Sequence, residues 1–96
     1  MRTIRELTNG EKKVYIYLRN KATEYRFISD AERECITFGD GVKLTERKPD
    51  DIMVLYEDGT ICFLGWAGRM AYHYNKDTLK RIDYEKYIEG SNDYLI

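Results

Sequence analysis

This chain is poor in the residues from which chemical sites are usually built. Its 96 residues include one proline, one histidine, one tryptophan and two cysteines. A lone imidazole, His73, and thiols at Cys35 and Cys62 make no cluster of zinc ligands, and the cysteines lack Cys-x-x-Cys spacing. The acidic pairs Asp50-Asp51 and Glu57-Asp58 have neither EF-hand nor His-Glu-x-x-His spacing and read as solvated turn carboxylates. Nucleophilic catalysis needs a cysteine or serine paired with a base, whereas both cysteines fall on apolar faces of predicted elements. They are expected to be reduced, buried thiols in a cytoplasmic protein, with no secretory leader. Charge is also nearly absent in sum: 16 basic against 17 acidic residues leave a net −1 with the signs mixed, so no basic face for nucleic acid is visible. No apolar run is long enough to span a bilayer, and a soluble protein is expected. Neither enzymatic activity nor a cofactor is predicted.

What the chain does have is apolar and aromatic material for one core. Hydrophobic residues make up 43% and aromatics 14%, which argues for one folded domain over residues 1–96. Nine tyrosines against three phenylalanines favour side chains that bury a ring and keep a hydroxyl at the rim, on strands or on a binding face.

The pattern gives an order of elements. Thr3 to Glu6 fits a capping box, with Ile4 and Leu7 on one side and Gly10 as a stop, which predicts a helical turn at about residues 4–9. Val14, Ile16 and Leu18 alternate with Tyr15, Tyr17 and Arg19, a strand covered on both faces. Ala22, Tyr25, Ile28, Ala31 and Cys35 step by three and four, predicting a helix over residues 22–35 capped by Thr23. A rival pattern makes 25–28 a strand, with Ser29 and Glu32 capping a shorter helix; the continuous stripe favours the long one. A short β segment at 36–38 ends in the Gly39-Asp40-Gly41 turn, and 43–51 is a polar loop holding the proline. Residues 52–57 and 60–66 form a hairpin across a two-residue type I′ turn, Asp58-Gly59. Met70, Tyr72 and Tyr74 alternate with Ala71 and His73, which predicts a strand at 69–74 bent at Gly65 and Gly68. Asn75-Lys76-Asp77 reads as a turn and 79–84 as a last strand. Asp83 caps a short helix at 84–89 stopped by Gly90, and Tyr94-Leu95-Ile96 is a docked or a disordered tail. The sum is an α+β domain: a mainly antiparallel sheet of four or five strands, one main helix on one face, and short terminal helices.

Ala31-Glu32 followed by Thr37-Phe38-Gly39-Asp40-Gly41, then Thr60-Ile61-Cys62-Phe63-Leu64-Gly65, then Arg81-Ile82-Asp83-Tyr84 with Tyr87, resembles a group of small proteins carried by phages, plasmids and integrative elements of Firmicutes. The resemblance runs from about residue 13 to 88. The group has no assigned chemistry, so it implies no activity and no site residue. Proteins of this size and origin include anti-defence inhibitors, among them anti-CRISPR proteins and sequesterers of signalling nucleotides. Cys35 stands where the related sequences tend to carry glycine, which argues against a left-handed helix cap there.

Two surfaces are candidates. In Gly65-Trp66-Ala67-Gly68-Arg69 the glycines let a partner's backbone approach, Trp66 offers an anchor and Arg69 a two-pronged donor, with Tyr72 or Tyr74 beside them. The bland alternative is that a lone tryptophan fills the core. The second candidate is the Gly39-Asp40-Gly41 turn with Phe38, Asp40 and Lys43; it lacks the Lys-Ser/Thr of a phosphate loop. The first functional reading is a non-enzymatic binding protein of a mobile element, acting by protein–protein contact as an inhibitor of a bacterial defence complex. The second is a protein that sequesters a nucleotide near Trp66, Arg69 and the 39–41 turn, between subunits of an oligomer.

Overall fold

Val14, Tyr15 and Ile16 are all buried, and the fold is organised around the strand that carries them. The computed structural model describes residues 2–74 and 80–96. Strand β1 (Lys13–Tyr17) is followed by helix α1 (Lys21–Arg33), β2 (Thr37–Phe38), the hairpin β3 (Ile52–Tyr56) and β4 (Thr60–Phe63), helix α2 (Gly65–Tyr74), β5 (Arg81–Asp83) and helix α3 (Tyr84–Ile88). The sheet order is β2-β4-β3-β1-β5. β1 pairs antiparallel with β3 and β3 with β4, while β1–β5 and β2–β4 run parallel. The sheet is therefore mixed, where a mainly antiparallel one was expected. The parallel pairs close through long crossovers that local pattern does not announce. The predicted turn at Asn75-Lys76-Asp77, and Leu79 of the predicted last strand, lie outside the described residues.

Alternation along β1 and β3 divides the core in two. Val14, Ile16, Met53, Leu55 and Ile61 face α1, α3 and a 3-10 turn at Arg5–Thr8, and pack with Ile4, Leu7, Phe27, Ala31 and Tyr84. Tyr15, Ile52 and Val54 face the other way, toward Leu64 and Tyr72. Large residues on both parities thus mark a strand covered on both faces, as the sequence predicts. Both sheet edges are guarded, by a bridge from Thr37 to Lys43 on β2 and by the tail on β5. That tail is docked: Leu95 bridges Ile82, and the Asp83 N–H donates to the Tyr94 carbonyl at 2.8 Å.

Three local readings need correction. First, α1 buries Thr23, Phe27, Asp30 and Ala31, so the inward face is rotated from the expected Ala22-Tyr25-Ile28 stripe; Tyr25 and Cys35 are exposed. The cap is Asn20, whose side chain accepts from the Thr23 N–H at 2.9 Å, and not Thr23. Second, the hairpin turns through three residues, Glu57-Asp58-Gly59. Gly59 has φ +84°, Asp58 has no positive φ, and the Gly59 N–H donates to the Tyr56 carbonyl at 3.1 Å. That is a type I turn closed by a glycine bulge, in which one residue supplies the left-handed geometry that a type I′ turn asks of two. Third, residues 69–74 are helical.

The ends of α1 and α3 are the same motif made with different residues. Beyond α3, the Gly90 N–H bonds to Tyr87 and the Ser91 N–H to Lys86, with Gly90 at φ +87°. Beyond α1, the Cys35 N–H bonds to Glu32 and the Ile36 N–H to Ala31, with Cys35 at φ +59°. Both are Schellman caps, and Cys35 takes the left-handed position that its side chain was expected to preclude. Ile36 packs with Ala31 in the core, and that apolar contact holds the cap against its strain.

A left-handed L-residue carries roughly 1–2 kcal/mol of strain, partly offset in glycine by chain entropy. Cys35→Gly is therefore expected to stabilise the domain by about 1 kcal/mol, read from urea unfolding; a midpoint at or below the parent's contradicts the cap. Tyr84→Phe removes a 2.6 Å hydrogen bond to buried Asp30, at a cost of about 2 kcal/mol for a bond to a charged acceptor. An unchanged midpoint contradicts a stabilising bond.

Candidate functional site

α2 is the element that sequence pattern assigns to the wrong class, and it carries the first candidate surface. In a strand, Met70, Tyr72 and Tyr74 share a face. Here Tyr72 is 6% exposed while Met70 is 41% and Tyr74 79% exposed, which only a helical turn permits. Two apolar rows step by four residues. Leu64, Gly68 and Tyr72 turn toward the sheet, while Trp66, Met70 and Tyr74 lie on nearly the opposite side. Gly65, at φ +69°, redirects the chain from β4 into the helix. A Cβ at Gly68 would lie 3.1 Å from Leu64 Cγ, so glycine lets the chain close tightly on Leu64.

Trp66 is 79% exposed, which rules out the core role that a lone tryptophan often has. With Met70 and Tyr74 it adds large apolar groups to the surface on the α2 side, while the exposed Phe63 at the end of β4 stacks with Phe38 on the opposite face. Met70 and Phe63 were not singled out from sequence; the spacing 66-70-74 was the signal for the first.

Arg69 is not a free donor. Its Nη2 donates to Asp50 Oδ2 and Asp51 Oδ1, each at 2.7 Å, and so ties α2 to the segment entering β3. The two aspartates, expected to be solvated turn carboxylates, are its partners. Asp50 is held below the usual carboxylate range by the Asp51 N–H first and then by Arg69, and the Arg69 guanidinium is raised by both carboxylates. Tyr72 lies beneath the α2 backbone with its ring 6.1 Å from Tyr15, and burial raises its hydroxyl.

The second candidate group is on the other side of the sheet. Phe38 is buried at β2, 5.1 Å from the Phe63 ring, with the Arg47 guanidinium 4.9 Å above it. Asp40 accepts from Arg47 at 3.0 Å and from the Val42 N–H at 3.2 Å; Arg47 and then Val42 lower its carboxyl. Lys43 is exposed and joins Thr37 through the backbone. The 39–41 turn thus presents an occupied carboxylate. Among the described residues, no hydrogen bond, ion pair or ring contact joins Phe38, Asp40 or Lys43 to Trp66, Arg69, Tyr72 or Tyr74.

Both cysteines are free; Cys62 is half-buried, its Sγ 3.4 Å from the Tyr56 hydroxyl. Among the described residues, no group of three or more metal-ligating side chains is found, and no helix is long and apolar enough to cross a membrane. Comparison with protein-family models, with curated proteins and with solved structures gives no match to this chain.

Because Trp66 is exposed, Trp66→Ala is expected to change stability by less than about 0.5 kcal/mol. Arg69→Ala costs up to about 1 kcal/mol, the range for part-exposed ion pairs. Asp50 is lowered on folding, so this contribution is complete above the unfolded carboxylate value, near pH 4, and is lost as pH falls through the lower folded value. Parent and Arg69→Ala should converge in acid. A gap that widens there contradicts the ion pair.

Proposed function

We propose that this chain is a non-enzymatic binding protein of a mobile genetic element, and that it acts by docking the outer face of α2 on a protein partner. The observation that carries the reading is the two-sidedness of α2. Its inner row holds the helix to the sheet, while Trp66, Met70 and Tyr74 form an outward row with no counterpart in the described residues. Exposed tryptophan and tyrosine beside methionine are the residue types that dominate interface energetics. Arg69 supports the reading indirectly, because its bonds to Asp50 and Asp51 fix the helix that presents the row. The resemblance to small phage and plasmid proteins supports a bacterial defence complex as the partner class.

The test compares tagged parent, Trp66→Ala and a control, Tyr25→Ala, which removes an exposed aromatic from α1. Each is purified from the same bacterial lysate and its retained proteins are identified by mass spectrometry. The expected result is a partner held by parent and control, with binding to Trp66→Ala weakened about thirtyfold, the equivalent of roughly 2 kcal/mol at an interface centre. Trp66 is the sole tryptophan, so adding the purified partner should shift the intrinsic emission to the blue. A partner that Trp66→Ala retains at parental affinity overturns the reading.

A further inference from the structure

The outward row of α2 reads nearly the same from either end. Trp66, Met70 and Tyr74 recur every four residues, with an aromatic ring at each end and methionine between them. Both rings are 79% exposed and Met70 is 41% exposed. At 1.5 Å of rise per residue the row is about 12 Å long. The one permanent charge on the helix, Arg69, is already met by Asp50 and Asp51 of the same chain. The row itself therefore offers a charged partner nothing to pair with, and suits a surface that is as apolar and as short as itself.

A second copy of the row is such a surface. A two-fold axis that crosses between two antiparallel α2 helices at Met70 sets Trp66 of each copy beside Tyr74 of the other, with the methionines meeting on the axis. Every ring then meets a ring or a thioether, contacts that add to simple burial. The antiparallel arrangement also opposes the two helix dipoles. Area sets the strength of the pair. Aromatic side chains bury roughly 150–250 Å² each, so the four mostly exposed rings contribute on the order of 600–800 Å². A standard stable interface takes about 1,200–2,000 Å² in total, and smaller ones belong to weak, transient encounters.

We infer that α2 pairs with α2 of a second copy through Trp66, Met70 and Tyr74, in a weak two-fold dimer that masks the docking row. This pairing rests on the reading of α2 as the docking helix and supplies its regulation. In dilute chain the row is free for a protein partner. At high concentration a second copy occupies it, and the partner has to displace that copy. Standard-sized interfaces bind at micromolar or tighter, so about half that area places the dimer at roughly 100 μM.

The experiment is sedimentation equilibrium of the purified chain over roughly 10–1,000 μM, a tenfold margin on either side of that value. The expected result is an average mass that rises from 11.4 kDa toward twice that figure, while Trp66 emission moves to the blue over the same range. Met70→Glu and Met70→Lys each set like charges on the axis and should weaken association at least tenfold. Their equimolar mixture should associate more tightly than either variant alone. Tyr25→Ala, which removes an exposed ring from α1, should leave association unchanged. A parent that stays monomeric throughout overturns the inference and leaves the row to other proteins. A dimer that Met70→Glu leaves intact, that Tyr25→Ala breaks, or that the mixture does not recover overturns it as well. Should a Met70 variant fail to fold, the parent decides: a dimer whose Trp66 emission does not move contradicts pairing through α2. No other protein is present in these measurements, so their failure and that of the lysate comparison are separate results.

Discussion

The Asp30 carboxylate is removed from water inside α1, and much of the domain is arranged to satisfy it. Arg26 and Arg33, one turn away on either side, bond it from the helix surface, and the Tyr84 hydroxyl reaches it from α3. Burial and the adjoining carboxylate push the Tyr84 hydroxyl far above its ordinary range, so it stays a donor at any pH the fold survives. Its ring meets Phe27 edge-on at 5.1 Å. Tyr84 follows directly on β5, so this polar contact also places the strand that completes the sheet beside β1. Removing one partner of such a group leaves an uncompensated charge in the core, which is more damaging than losing an equal apolar contact.

The two sides of the sheet are closed by different means. One has three helical pieces and a core that includes Phe27 and Phe38. The other has α2 alone, held by Leu64 and Tyr72 below and by Arg69 at its flank. A helix so thinly anchored keeps Trp66, Met70 and Tyr74 outside. The same thin cover leaves Arg81 in a recess between α2 and β5.

Much of this was legible in the chain. The double parity of β1, the Asp83 cap with its Gly90 stop and the existence of the 52–63 hairpin each depend on residues close in sequence, and each was read correctly. The failures share a cause. Met70, Tyr72 and Tyr74 satisfy a period of two as well as Trp66, Met70 and Tyr74 satisfy a period of four, and only the sheet beneath decides between them. The inward face of α1 includes Asp30, which any count of apolar residues places outside. Cys35 is left-handed because Ile36 must reach the core, a demand that comes from tertiary packing. Of the candidate surfaces, the sequence left Trp66 open between core and surface, and the ties on Arg69 and Asp40 were not legible, since both partners come from segments read as loop.

β1 lies in the middle of the sheet, yet Val14 faces Leu55 on one side and Ile16 faces Ile82 on the other. During synthesis the hairpin of β3 and β4 can close early, because its contacts are local. β1, emerging first with apolar side chains on both faces, has to wait for the last of its neighbours. Until Arg81–Asp83 has left the ribosome, a strand that is buried on both faces in the folded domain is an open edge. The interval between its emergence and its burial is when the chain is most exposed to aggregation and most in need of a chaperone.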